Sequence, residues 1–267
     1  MEITKTNNRI DVLFEEKSKD ILSVFYTAGF PKRDDTVRIA RELESAGVDM
    51  IEIGIPFSDP LADGPIIQHS TKVALENEMT ITLLFEQLNT IRETVRLPIV
   101  LMGYLNPVLQ FGMDRFVAAC THTGVDGVIL PDLPADVYAA DFKSQFERAG
   151  VHVSFLITPA TSQMRIRMLD EQSSGFIYAV SASATTGIRQ SFSTKQVAYF
   201  RQLKEMSLKN PFLIGFGISN QEAFHEACRY GAGAIVGSAF IQALDSGSTS
   251  ITNFISGLRG LKQPPAG

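Results

Sequence analysis

The chain contains few cysteines and no long apolar run, and both absences limit its function. Its 267 residues include two cysteines, Cys120 and Cys228. They lie far apart in helix-like segments, so we expect buried free thiols and no disulfide framework, as in a reducing cytoplasm. No apolar run reaches the ~18 residues that span a bilayer. The first 20 residues are too heavily charged for a secretory signal.

Other absences exclude further classes of function. The net charge is −5 and the basic residues are dispersed, so we expect no nucleic-acid partner and no membrane association. The four histidines are scattered without metal-ligand spacing, so no metal site is predicted. There is no G-x-S-x-G elbow for a serine nucleophile. No lysine lies near the end of a strand-like run, which disfavours a Schiff base.

Short β-branched runs alternate with longer amphipathic segments. The predicted strands are Ile21–Tyr26, Val48–Ile53, Ile99–Met102, Gly127–Leu130, His152–Leu156, Gly175–Ala179, Phe212–Ile214 and Gly233–Val236. The predicted helices are Pro31–Ala46, Ile66–Val95 with a break near Met79, Met113–Thr123, Ala135–Ala149, Gln163–Gln172, Thr194–Met206, Asn220–Tyr230 and Ser250–Leu261. An extra helix is predicted before the first strand, around Ile10–Lys17.

Eight strand–helix units in one chain of this length predict an α/β fold, the (β/α)8 TIM barrel with an extra N-terminal helix. A doubly wound open sheet is the alternative; a dinucleotide-binding sheet would carry a G-x-G-x-x-G turn after the first strand, and that turn is absent. No linker composition divides the chain. We therefore expect a single domain over residues 1–267, with 262–267 as a frayed tail.

One carboxylate, Glu52, interrupts the second predicted strand. Alternation along Met50–Gly54 places Ile51 and Ile53 toward the helices and Glu52 toward the barrel axis. Active sites of such barrels lie at the carboxyl ends of the strands, and burial there raises the pKa of a carboxyl toward neutrality. Glu52 is therefore a candidate acid–base catalyst, and a structural carboxylate paired in the core is the alternative.

The loops after these strands carry further polar candidates. Asp59 and Asp63 follow the second strand and Asp132 follows the fourth, each beside proline or glycine, so ordinary turn residues are the competing interpretation. Glycine-rich turns follow strands seven and eight, at 215–219 and 237–239, where barrels commonly bind phosphate. Simple tight turns are the alternative there. The small polar segment 181–187 has the composition of a lid or of an ordinary loop.

Several of these segments together resemble the α subunit of tryptophan synthase. They are 25–31 (FYTAGFP), 51–68 (IEIGIPFSDPLADGPIIQ), 101–107 (LMGYLNP), 130–134 (LPDLP), 215–218 (GFGI) and 236–239 (VGSA). The resemblance covers nearly the whole chain. It implies a lyase that cleaves indole-3-glycerol phosphate by a retro-aldol reaction to indole and glyceraldehyde 3-phosphate, without a cofactor or metal.

The resemblance also implies roles for individual residues. Glu52 matches the acid–base catalyst, and Asp63 matches the carboxylate that stabilises positive charge on the indole ring. Matches around the substrate are Phe25, Ile67, Met102, Tyr178, Phe216 and the lid threonine Thr186, and matches around the phosphate are Gly187, Gly217, Gly237 and Ser238. Many family members carry arginine and glycine where this lid has Ala182 and Ala184, which puts lid ordering in doubt.

The family works with a pyridoxal-phosphate β subunit that receives indole through a tunnel. The resemblance therefore implies an αββα heterotetramer, with Pro56, Asp59, Asn106 and Pro107 facing the partner. Two related alternatives stay open: a catalytically weak subunit that activates the β subunit, and a free-standing indole-releasing lyase. A different phosphate-sugar barrel, such as a sugar isomerase, is the alternative at the level of fold.

Overall fold

The computed structural model describes residues 8–60, 63–181 and 192–261. The strand segments in this part are β1 (Ile21–Thr27), β2 (Met50–Gly54), β3 (Ile99–Met102), β4 (Gly127–Ile129), β5 (His152–Val153), β6 (Leu156–Ile157), β7 (Ile177–Val180), β8 (Phe212–Gly215) and β9 (Gly233–Val236).

The helices lie before, between and after these strands. They are α1 (Arg9–Glu16), α2 (Asp35–Ser45), α3 (Pro65–Glu76), α4 (Ile81–Leu88), α5 (Leu105–Phe111), α6 (Met113–Thr123), α7 (Ala135–Val137), α8 (Lys143–Ala149), α9 (Gln163–Gln172), α10 (Thr194–Glu205), α11 (Gln221–Cys228), α12 (Ser238–Ser246) and α13 (Ile251–Arg259). A π turn, Tyr138–Phe142, joins α7 to α8. Within the described ranges, none of the helices has the length and apolarity needed to cross a membrane.

The strand segments form one parallel sheet that closes on itself. Their order is β5-β4-β3-β2-β1-β9-β8-β7-β6. The segments at the two ends of this order, β5 and β6, are separated in the chain by only Ser154 and Phe155. Just after β5, the Ser154 N–H donates to the carbonyl of Val128 on β4. Just before β6, the Phe155 carbonyl accepts from the N–H of Tyr178 on β7. An interrupted fifth strand thus joins the ends, and the predicted (β/α)8 barrel is confirmed.

Buried side chains form two layers because parallel barrel strands are covered on both faces. The layer around the barrel axis includes Met50, Val100, Ile129, Leu213 and Ile235. A larger layer lies between the strands and the helices and includes Tyr26, Ile53 and Leu101. Glu52 belongs to the inward-facing set by its register, since it pairs with Phe25 on β1 and Val100 on β3.

Helix α1 closes the amino-terminal end of the barrel. Ile10 is fully buried in the axial layer, and the Phe14 ring lies 6.3 Å from that of Phe176. The buried Asp126, which precedes β4, pairs with Arg9 of α1 at 3.0 Å and with Arg92 at 2.6 Å. The opposite end, where the strands finish at their carboxyl termini, is left for a site.

The structure differs from the sequence predictions at a few elements. The predicted fifth strand, His152–Leu156, is broken into two segments. Helix α5 was not predicted, since it contains Pro107; the proline lies in the first turn, where its missing N–H costs no helical hydrogen bond. The predicted break near Met79 is confirmed, because Thr80 caps the start of α4 by accepting from Leu83 N–H.

Candidate active site

Glu52 lies at the centre of β2 and is fully buried. Its Oε1 accepts a hydrogen bond of 2.7 Å from the Ser23 hydroxyl on β1. Its Oε2 is buried and has no hydrogen-bond partner among the described residues. Burial raises the pKa of Glu52 to about 7, and the Ser23 hydrogen bond opposes that rise. A carboxyl with this pKa can both give and take a proton near neutral pH.

Asp63 lies in the loop between β2 and α3 and is half-buried. Its Oδ2 accepts a hydrogen bond of 3.0 Å from the Tyr104 hydroxyl. Burial raises the pKa of the Asp63 carboxyl, and the Tyr104 hydrogen bond opposes that rise. The sequence analysis did not single out Tyr104 as a site residue; its position two residues after β3 was the signal that it borders the site.

Tyr178 connects the two carboxylates electrostatically. It lies on β7, is almost fully buried, and has a pKa raised first by burial and then by the negative charges of Glu52 and Asp63. A charge acts on a buried group in this way only at short range. Glu52 and Asp63 therefore both lie within electrostatic range of Tyr178.

Two glycines make room for the aromatic walls of the site. A Cβ on Gly54 would lie 2.5 Å from Cζ of Phe25, and a Cβ on Gly215 would collide with the Tyr178 ring. Strand ends without side chains thus let both rings lie against the backbone of the neighbouring strand. Phe216 adds a third ring, whose centroid lies 6.1 Å from that of Tyr178 in an edge-on arrangement.

The remaining predicted substrate residues border the same mouth. Met102 ends β3 and is half-buried, and Ile67 lies in the first turns of α3, also half-buried. The lid residues Thr186 and Gly187, with Ala182 and Ala184, lie outside the described residues.

The turn after β8 has a constrained backbone. Phe216 and Gly217 have φ of 69° and 78°, and this left-handed conformation is unfavourable for a phenylalanine. The buried Ser181 stabilises the turn: its hydroxyl donates to the Phe216 carbonyl at 2.5 Å, and its N–H donates to Gly215. Ser181 was seen in the sequence only as the first residue of a small polar loop.

The turns after β8 and β9 differ at the helices that they introduce. Helix α11 is capped by its own Asn220, whose side chain accepts from Ala223 N–H. Helix α12 follows Gly237, which has no side chain to cap the first turn beginning at Ser238. A Cβ on Gly237 would lie 3.6 Å from Phe25, so this turn adjoins the aromatic wall. The first-turn amides of α12 therefore lack the N-cap side chain that α11 has, and amides of this kind are able to bind an anion.

The residues predicted to face a partner are unevenly exposed. Asp59 and Asn106 are exposed and Pro107 is half-buried, whereas Pro56 is buried within this chain. Near Asn106, Leu109 is 49% exposed on α5.

Asp132 has a structural contact consistent with its interpretation as a loop residue. It accepts from Leu105 N–H at 2.8 Å and so joins the loop after β4 to the start of α5.

Comparison with known proteins identifies the family. Residues 13–262 match the family model described as tryptophan synthase alpha chain. The chain belongs to the tryptophan synthase alpha chain family. Relatives of that name from Flavobacterium psychrophilum and Flavobacterium johnsoniae are 54% and 51% identical, over 93% and 94% of this chain and 98% and 100% of theirs.

Solved structures agree with the assignment to the tryptophan synthase alpha chain family. The alpha subunit from Legionella pneumophila is 32% identical, with a TM-score of 0.84 over 95% of this chain and 97% of its own. A chain of tryptophan synthase from M. tuberculosis is 27% identical, with a TM-score of 0.83 over 96% of this chain and 100% of its own. The family, the lyase activity and the barrel predicted from the sequence are confirmed, and membership implies a β-subunit partner.

Proposed function

We propose that Glu52 and Asp63 carry out the α reaction of tryptophan biosynthesis in this chain, the cleavage of indole-3-glycerol phosphate. The observation that carries this proposal is the buried, inward-facing Glu52, whose pKa of about 7 lets it change protonation during a catalytic cycle. Asp63 supplies a second carboxylate at the same mouth, and Tyr178 lies within electrostatic reach of both.

The reaction begins with protonation of the indole ring. Protonated Glu52 gives its proton to indole C3, and the positive charge that develops is shared with the ring nitrogen. The Asp63 carboxylate accepts the hydrogen bond of that N–H and stabilises the cation. Indole thereby becomes an electron acceptor, which is what cleavage of its bond to the glycerol carbon requires.

Cleavage then uses the ionised form of Glu52. The carboxylate takes the proton from the hydroxyl on the carbon bonded to indole C3, and that carbon becomes the aldehyde carbon of glyceraldehyde 3-phosphate. The electrons of the broken C–C bond return to the ring and neutralise it as indole. Glu52 ends the cycle protonated, as it began, so the proton balance closes on one residue.

The apolar and glycine-rich parts of the mouth bind the two ends of the substrate. Phe25, Met102 and Ile67 would line the indole ring, as an aromatic ring and half-buried aliphatic side chains at this mouth suit a flat apolar group. Tyr178 would lie beside Glu52, and Phe216, whose ring packs edge-on against Tyr178, would lie near the glycerol phosphate. Ser238, Gly237 and Gly217 would bind the phosphate, supported by the first turn of α12, whose N-cap residue Gly237 has no side chain to form a cap. Phosphate binding orients the reacting carbon from a distance.

We also propose the assembly and location expected of this family. The β subunit would contact the exposed Asp59 and Asn106 with Pro107, in an αββα heterotetramer, and pass indole onward. Buried Pro56 would act there through the shape of its loop. A cytoplasmic location is consistent with the buried free thiols of Cys120 and Cys228. We treat residues 1–267 as one domain, and the tail 262–267 lies outside the described residues.

The test is indole release from indole-3-glycerol phosphate by Glu52→Gln, with and without a β subunit. We expect a loss of at least about a hundredfold, since a positioned proton donor contributes about that much or more. The matched control is Glu86→Gln, which alters an exposed glutamate on α4 and should leave turnover unchanged. Near-normal turnover by Glu52→Gln would refute the assignment. Wild-type protein that activates a β subunit without releasing indole would favour the activator alternative.

A further inference from the structure

The two carboxyl oxygens of Glu52 have different surroundings. Ser23 pairs in register with Met50, and Phe25 pairs with Glu52, so Ser23 lies one inward layer deeper in the barrel than the carboxylate it contacts. The Ser23 hydroxyl donates to Oε1, whereas Oε2 has no partner among the described residues. One oxygen is therefore held from below and the other is available.

We propose that Ser23 is a positioning residue for Glu52, which holds Oε1 by its hydroxyl and leaves Oε2 as the oxygen that exchanges protons with the substrate. This inference rests on the proposed role of Glu52. It assigns Ser23 a part in the reaction without contact with the substrate, because Ser23 is fully buried beneath the carboxylate.

The composition of the axial layer supports a specific purpose for this serine. The inward positions around it, including Ile21, Met50 and Val100, are apolar and fully buried. A hydroxyl in such a layer is costly unless it is hydrogen-bonded, and an apolar side chain would fill the same space. The hydroxyl of Ser23 donates to Glu52, so this polar side chain among apolar neighbours lies at the candidate catalytic group.

Ser23 is the neighbour that opposes the rise in the pKa of Glu52 caused by burial. Burial raises the pKa of Glu52 and the Ser23 hydrogen bond lowers it. The facing residues on β1 and β3, Phe25 and Val100, carry no charge, and the titratable groups coupled to this region are Tyr178 on β7 and Asp63 in the loop after β2. Removing the hydroxyl should therefore raise the pKa of Glu52, by roughly one unit for one lost hydrogen bond.

The experiment measures kcat and kcat/KM for indole release between pH 5.5 and 9 in the wild type, Ser23→Ala and Ser23→Thr. Because Glu52 must begin protonated, kcat/KM should fall as the pH rises through its pKa. Ser23→Ala should move this fall upward by roughly one pH unit and lower kcat roughly tenfold, with little change in KM. Ser23→Thr keeps a hydroxyl and should restore the wild-type pH profile.

The control is Ser154→Ala, which removes a buried barrel hydroxyl that donates to the Ser174 carbonyl and not to Glu52. It should leave the pH profile unchanged. A wild-type profile for Ser23→Ala, while Glu52→Gln is inactive, overturns the role of Ser23 and leaves the proposed function intact. An active Glu52→Gln overturns the proposed function instead.

Direct titration of the Glu52 carboxyl tests the role of Ser23 even if Ser23→Ala is inactive or unstable. The infrared band of the protonated Glu52 carboxyl, identified by its absence in Glu52→Gln, can be followed with pH in any folded variant. Ser23→Cys retains only a weak donor and should raise the midpoint of this band in the same direction as Ser23→Ala. An unchanged midpoint in either variant refutes the proposal.

Discussion

The buried Glu52 carboxyl should make the protein less stable as the pH rises, and Glu52→Gln should remove that dependence. In the unfolded chain this carboxyl has its ordinary pKa of 4.5, and in the folded chain burial raises the pKa to about 7. The folded state therefore holds a proton that the unfolded state has already released. The penalty is absent below pH 4.5, grows between pH 4.5 and 7, and is constant above pH 7.

The size of the penalty follows from the distance between the two pKa values. At about 1.36 kcal/mol per pH unit, the interval from 4.5 to about 7 lowers the free energy of unfolding by about 3 kcal/mol at alkaline pH. Glu52 is fully buried, so solvent screening does not reduce this value. At pH 5 the penalty on the free energy of unfolding is less than about 1 kcal/mol.

Urea unfolding of the wild type and Glu52→Gln at pH 5 and pH 8 measures the effect. The stability of the variant relative to the wild type should increase by about 2–3 kcal/mol between these two pH values. Other titrating groups, such as Asp63, cancel in the comparison because both proteins contain them. Glu86→Gln, an exposed matched change, should show no such difference. An equal difference between wild type and Glu52→Gln at both pH values would refute a carboxyl that is protonated near neutrality.

Three further predictions concern other contacts. Tyr104→Phe removes the hydrogen bond to Asp63 and should lower kcat/KM for indole release about tenfold without unfolding the protein. Gly54→Ala forces a methyl group against the Phe25 ring and should weaken indole binding, measured by calorimetry, at a stability cost of about 1–3 kcal/mol. Asp126→Asn breaks the buried ion pairs beneath the barrel and should lower unfolding free energy by about 3 kcal/mol while leaving KM unchanged. A changed KM would show that the two ends of the barrel are coupled.

The sequence predicted the barrel because its signals are local and repeated. Each strand is a short apolar run between turn residues, and the eight-fold repetition outweighs errors at single boundaries. The inward direction of Glu52 followed from alternation along β2 alone. The break in the fifth strand was not predictable in this way, because it depends on how Ser154 and Phe155 hydrogen-bond to β4 and β7, which are distant in sequence.

Supporting contacts in the site were harder to predict than the catalytic candidates. Ser23, Tyr104 and Ser181 contact residues 29, 41 and 35 positions away, so their local sequence does not show these hydrogen bonds. Similarly, α12 is proposed as the phosphate site and α11 is not, because the Asn220 side chain caps α11. The folded structure was needed to show that cap. A carboxylate in an apolar strand is unusual in itself, whereas a serine beneath it has meaning only once the register of β1 and β2 is known.

The pairing of β1 with β9 sets the order in which a newly made chain can become active. Ile21 pairs with Gly233, and an added Cβ on Gly233 would collide with the Ile21 backbone, so the first and last strands meet in very close contact. Phe25 stands on the first of these strands and Ser238 follows the last. A ribosome must therefore synthesise almost the whole chain before Phe25 of the proposed indole pocket and Ser238 of the proposed phosphate site can come together. Incomplete chains that leave synthesis early would lack a working site, so they would not release indole in the cell.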